Sequence, residues 1–264
     1  MKHFRFFLLN GLFLAALLVM GSCEKQQKNK EFIMWYEQPA KEWMEAVPLG
    51  NGRIGAMVYG GTENETIALN EVTMWSGQPD PAEDDICGKE NLKKIRDLFF
   101  KGKIEEGNHL GTQHLSGHPR SFGTHLPVGD LKMRFSYPEG EITNYYRDLD
   151  LNNAMASVSF DKGGVKYSRE YFCSNPDEVL VMKFMADKSG MISTELSFDM
   201  LRNSTISASE EGLTVNGDAQ FDKQGPGGVK FSGIARIIPK GGKTSFTDTS
   251  VKVENADEDR KSVV

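Results

Sequence analysis

Cysteine is scarce in this chain of 264 residues: Cys23, Cys87 and Cys173 are the whole supply. No pair of them has zinc-ligand spacing, which removes a structural zinc site of the Cys-x-x-Cys kind. No long basic block occurs. The 31 Lys and Arg are mixed along the chain with 37 Asp and Glu, giving a formal net charge of −6, so nucleic acid is not an expected partner. A Gly-x-Ser-x-Gly nucleophile elbow and a phosphate loop are also absent. GNGRIG at 50–55 resembles a glycine-rich nucleotide loop, but no strand–helix–strand pattern surrounds it, and that context is what such a loop requires. No internal repeat stands out.

The first residues, MKHFRFFLLNGLFLAALLVMGSC, have a basic start (Lys2, His3, Arg5), an apolar run from Phe6 to Met20, and small residues before Cys23. The run is shorter than the roughly 20 residues of a membrane span, and its three-part build is that of an export signal. Residues 1–22 are therefore expected to be a signal peptide. Small residues immediately before Cys23 resemble a bacterial lipobox, with Cys23 as the lipidated new N-terminus; an ordinary cleaved signal is the alternative. Residues 23–30 read as a polar tether. The expected location is the periplasm or the outer membrane, with membrane contact only through the lipid. Cys87 and Cys173 are expected as unpaired thiols.

From residue 31 onward, short apolar runs alternate with Gly and Asn turns. IGAMVYGG and ETIALNEVTMWSG read as strands. The period then changes. Leu92, Ile95, Leu98 and Phe99 recur at helical spacing, with Gly102 as a break. This predicts a short helical insert near 89–107. Residues 107–125 have no clear period and read as a long loop. From 126 to about 256 strand patterns dominate, with a hairpin turn at Asp161–Gly164. The expected fold is all-β: a large antiparallel β-sandwich over 31–258. Residues 259–264, DRKSVV, read as a truncated tail without a partner.

Candidate chemistry is thin. His109, His114, His118 and His125 cluster, but Gly117 and Pro119 flank His118 and break the helix that would align two of them on a metal. A loop packing against another surface is the better reading, and no metal or cofactor is expected. Among the carboxylates no acid–base pair stands out; Glu71, near a strand end with Asn70, suits a hydrogen-bonding role at an interface. Trp35, Trp43 and Trp75 are able to stack on sugar rings, yet filling the core or an interface is the commoner use of large aromatics. Arg53, after the Asn51–Gly52 turn, suits a carboxylate of a ligand or a neighbouring domain.

MWYEQPAKEWMEAVPLGNGRIGAMVYGG followed by ETIALNEVTMWSG, then LPVGDLKMRF and YYRDLDLNNAMASVSFDKGGVKYSREYFCSNPDEVLVMKF, closely resembles the N-terminal domain of glycoside hydrolase family 95, the α-L-fucosidases. One departure is His125-Leu126, where Tyr-Gln is expected before Pro127. The resemblance implies a β-supersandwich that precedes a catalytic (α/α)6 barrel, in enzymes that hydrolyse α-L-fucosides with inversion. The barrel's catalytic motifs have no matching position here, so no catalytic residue is carried over. Trp35, Trp43, Asn51, Arg53, Asn70, Glu71 and Trp75 are the expected contacts to a barrel or to a fucosylated glycan. A free-standing surface glycan-binding lipoprotein is the rival reading.

Overall fold

Strict alternation makes half-buried strands, and most of the chain after residue 46 alternates. The computed structural model describes residues 32–78, 88–115, 123–221 and 227–263. The signal segment, Cys23, the tether, Cys87 and His118 lie outside the described residues. One compact unit spans Met34–Val264; of the other, Met1–Ile33, only the last two residues are described.

One sheet has seven strands: β2 (Val47–Gly50), β3 (Ile54–Val58), β4 (Asn64–Glu71), β5 (Gly129–Ser136), β10 (Ile192–Asp199), β14 (Lys243–Phe246) and β15 (Ser250–Ala256), in the order β14-β15-β10-β5-β4-β3-β2. The other has nine: β1 (Ile33–Tyr36), β6 (Thr143–Asp150), β7 (Met155–Lys162), β8 (Val165–Ser174), β9 (Val179–Ala186), β11 (Ser204–Ser209), β12 (Gly212–Asp218), β13 (Lys230–Lys240) and β16 (Glu258–Val263). Their order is β1-β6-β7-β8-β9-β16-β13-β12-β11. The pairings are antiparallel throughout β2–β5, β6–β9 and β11–β13. The expected all-β sandwich is what forms, and GNGRIG is the β2–β3 hairpin rather than a nucleotide loop.

The core lies between the sheets and comes from one face of each strand. Ile67 sits opposite Leu131 and Met133 opposite Leu196 on one side. Val158, Phe160, Leu180, Met182 and Phe184 fill the other. Burying each such side chain is worth about 1.5–3 kcal/mol.

Residues 258–263 are not a partnerless tail. β16 pairs with β9 on one side and β13 on the other, so it closes the middle of the nine-stranded sheet. The six-residue charged run does not look like a central strand, because its pattern carries no apolar alternation. Backbone hydrogen bonds to two neighbours place it there.

The helical insert is longer than expected. α1 (Lys89–Phe100) and α2 (Ile104–His114) form a hairpin. Gly102, at φ +73°, turns the chain out of α1, and the Gly102 and Lys103 N–H groups close on Phe99 and Leu98 carbonyls. α2 takes up the first part of the stretch read as loop. Its signal was hidden because its contact face is small: Gly107 lies against the Phe99 ring, where a Cβ would come within 2.6 Å of a ring carbon.

The core also holds charge. The Glu65 carboxylate and the Arg169 guanidinium meet at 3.2 Å with both side chains almost wholly out of water. Glu65 Oε1 accepts from the N–H groups of Gly60, Gly61 and Thr66, and Oε2 from the Tyr171 hydroxyl. Arg169 also donates to the carbonyls of Gly61 and Thr62 and to the Tyr137 hydroxyl, and it lies over the Phe135 ring at 3.9 Å. Burial pushes the Glu65 carboxyl above its ordinary value, against the pull of Arg169, Tyr171 and the backbone donors. The neighbouring tyrosines and Glu65 hold the Arg169 guanidinium charged despite its burial. The network fixes the β3–β4 turn to the opposite sheet.

Candidate functional site

At one end of the sandwich the β2–β3 turn meets the β8–β9 turn. Asn51 makes the join. Its Oδ1 accepts from the N–H groups of Arg53 (3.0 Å) and Ile54 (2.8 Å), which folds the turn, and Gly52 takes φ +94°. Its Nδ2 donates to the Ser174 carbonyl at 2.7 Å, and Asn175 Nδ2 donates back to the Asn51 carbonyl at 2.9 Å. A short polar side chain that bonds its own turn is the usual reason for Asn at such a position. Here the same side chain also staples one sheet to the other.

Arg53 then projects between two carboxylates. Its Nε donates to Glu71 Oε1 at 3.2 Å and its terminal nitrogen to Glu178 Oε2. Both ion pairs raise the guanidinium pKa further, Glu178 more than Glu71. The carboxylates that Arg53 was expected to find in a ligand or neighbouring domain are thus its own chain's. Partial burial pushes the Glu71 carboxyl up, but the Thr73 hydroxyl and N–H (2.6 and 2.8 Å) and Arg53 outweigh it and hold it below its ordinary value. Glu178 is held at φ +54°, a left-handed conformation that costs a non-glycine residue about 1–2 kcal/mol. Such strain concentrates at functional positions.

Arg53, Glu71, Thr73 and Glu178 border a cleft of about 330 Å³. Leu69, Met74, Val128, Phe198, Val215, Val229 and Phe231 supply its apolar lining. Asn70, Asp177, Lys230 and Ser232 add to its polar lining beside Arg53, Glu71 and Glu178. Next to it, a small ribbon covers this end of the sandwich. Trp75 bridges His125 and Ser76 bridges Gly228, over a satellite core of Met74, Leu126 and Ala219. His125 Nε2 lies 3.1 Å from the Glu71 carbonyl, so that nitrogen carries the proton and donates. The Trp75 indole donates to the Val72 carbonyl at 3.2 Å, and its ring meets His125 edge-on at 5.4 Å.

Of the expected contact residues, Arg53, Asn70 and Glu71 line this cleft, Asn51 holds the turn that carries Arg53, and Trp75 is on the adjoining ribbon. Trp35 and Trp43 belong to other elements. Trp35, on β1, stacks on Tyr146 of β6 at 6.4 Å. Trp43 sits on a 3-10 turn, Trp43–Glu45, which the buried Arg147 pins by donating to the Gln38 and Glu45 carbonyls. None of the tryptophans fills the core: Trp35 and Trp43 are 54% exposed and Trp75 48%. Asp177 and Glu178 escaped the sequence reading. A hairpin turn looks like solvated charge until the fold brings it across to Arg53.

The described histidines do not assemble. His109 and His114 are on α2, where His114 Nδ1 lies 3.2 Å from Asn91 Nδ2, and His125 is on the ribbon. Among the described residues no three His, Cys, Asp or Glu side chains are grouped to hold a metal ion. Cys173 is half-buried on β8 with its thiol pushed up to about 11 by burial.

Residues 34–260 match the family of glycosyl hydrolase family 65, N-terminal domain. The chain belongs to that family. Three curated relatives carry the fucosidase name expected from the motifs. This glycosyl hydrolase N-terminal domain is 36% identical over 176 residues to Alpha-L-fucosidase 2 of Arabidopsis thaliana, covering 66% of the chain and 20% of that protein. It is 28% identical over 226 residues to Probable alpha-fucosidase A of Aspergillus niger, covering 81% and 27%. Probable alpha-fucosidase A of Aspergillus oryzae matches over 145 residues at 28% identity, covering 53% and 19%. The chain therefore spans between 19% and 27% of the length of these relatives.

Proposed function

We propose that this domain is the non-catalytic N-terminal part of an α-L-fucosidase-like glycoside hydrolase, and that an (α/α)6 barrel supplies the inverting hydrolysis of α-L-fucosides. The observation that carries the reading is the 36% identity to Alpha-L-fucosidase 2 within only a fifth of that enzyme's length. The chemistry of the cleft supports a non-catalytic role. A general acid needs a carboxyl held protonated near neutral pH. Glu71 is held ionised instead, and Glu178 is committed to Arg53. Large apolar side chains standing in solvent, Met44 and Phe100 foremost, suit a surface covered by further protein. The export signal and Cys23 support delivery as a periplasmic or outer-membrane lipoprotein.

Purified chain incubated with an aryl α-L-fucoside is expected to release no aryl alcohol. A polypeptide that joins it to a family barrel is expected to release it. Turnover by the 264 residues alone would overturn the non-catalytic assignment; silence from the joined polypeptide would overturn the fucosidase assignment.

A further inference from the structure

The cleft beside Arg53 has the make-up of a small-molecule site in its own right. Its volume, about 330 Å³, lies in the range of ligand pockets and equals about eleven water volumes. That is space for one hexose ring with its hydroxyls. Apolar and polar side chains both line it, a mixture that suits a pyranose, which has C–H faces on the ring and hydroxyls around the rim. Some polar lining groups remain unengaged. Asn51 and Glu71 are already bonded to the backbone, to Thr73 and to Arg53, and Arg53 spends its Nε and one terminal nitrogen on Glu71 and Glu178. Asn70, by contrast, sits at the exposed end of β4, and neither its amide nor the Lys230 ammonium nor the Ser232 hydroxyl takes part in a hydrogen bond within the described residues. Together they offer both donors and acceptors.

Charge narrows the class. Arg53 and Lys230 line the cleft together with Glu71, Asp177 and Glu178, a slight acidic excess that disfavours an anion. We propose that the cleft binds a neutral monosaccharide or the end of a neutral glycan. Asn70, Lys230 and Ser232 hold the hydroxyls, and the part-exposed Val128, Val229 and Phe231 side chains take the ring. This inference does not rest on the fucosidase reading, because it concerns no hydrolysis and no barrel.

The test is saturation-transfer NMR on the full chain with D-galactose, D-glucose and L-fucose, and D-glucuronate as the anionic control. Transfer to ring C–H protons of at least one neutral sugar is expected, with weaker transfer to glucuronate. Asn70→Ala is expected to weaken the sugar by about fivefold, the loss of one net hydrogen bond, with the melting curve unchanged. Ser232→Ala gives the same comparison from the opposite sheet. No transfer to any neutral sugar, transfer that both variants leave intact, or preference for glucuronate would each overturn the proposal.

Discussion

Replacing Glu65 is the most informative single change. In Glu65→Ala the Arg169 guanidinium keeps its charge but loses its carboxylate 3.2 Å away, at a place where both side chains are almost wholly buried. Breaking a buried pair from one side costs about 3–5 kcal/mol, because the remaining charge is uncompensated. The Gly60, Gly61 and Thr66 N–H groups and the Tyr171 hydroxyl lose their acceptor at the same time. Water entering the space offsets part of that, so the expected loss is about 4–6 kcal/mol, a large share of the roughly 5–15 kcal/mol that holds an ordinary domain folded. Glu65→Gln keeps the shape but turns an N–H donor toward Arg169, also a donor, and is expected to cost about 2–3 kcal/mol. Urea unfolding followed by circular dichroism reads these values; tryptophan emission is a poor probe, since every tryptophan is already exposed. Combining Glu65→Gln with Arg169→Met completes a double-mutant cycle with an expected coupling of about 2 kcal/mol. If Glu65→Gln were neutral, or the coupling zero, the ion pair would not be what secures the β3–β4 turn.

Removing residues 258–264 is expected to expose the facing edges of β9 and β13 and to give insoluble or concentration-dependent aggregating protein; a truncated chain that stays monomeric with an unchanged melting temperature would refute the central position of β16. Glu71 has a folded-state pKa below its ordinary value, so its contribution is present above the unfolded pKa of about 4.3 and fades as pH falls through the lower folded value. Glu71→Gln is therefore expected to flatten the fall in urea midpoint below pH 4.5, and an unaltered acid limb would count against it. For Cys173 the sign is opposite: the folded thiol keeps its proton to about 11, while the unfolded one ionises near 8.5. Stability is expected to decline as pH rises from about 8.5 to 11; in a chain whose other cysteines are serine, alkylation at pH 8 should be slow until denaturant is added.

The residue pattern was sufficient for the sandwich because each strand carries its own evidence. In β5, Leu131, Met133 and Phe135 alternate with Asp130, Lys132 and Arg134, and burying one set against the other sheet follows from a period of two. α1 announced itself by the spacing of Leu92, Ile95, Leu98 and Phe99. α2 did not, since a helix that packs through Gly107 shows little apolar stripe. The family, too, was legible, in motifs whose order along the chain is linear information.

Pairing partners are not linear information. Nothing in the run Glu258–Val263 states that it separates β9 from β13, because backbone hydrogen bonds are common to all residues. Glu65 and Arg169 are 104 residues apart, and their meeting depends on sheets facing one another. The cleft is of the same kind. Asn51, Arg53 and Glu71 could be singled out one at a time, but Asp177 and Glu178 enter only when the β8–β9 turn folds onto the β2–β3 turn. Local pattern thus set the strands and the family. The tertiary structure decided which charges are buried, which are paired, and which polar groups remain available to a ligand.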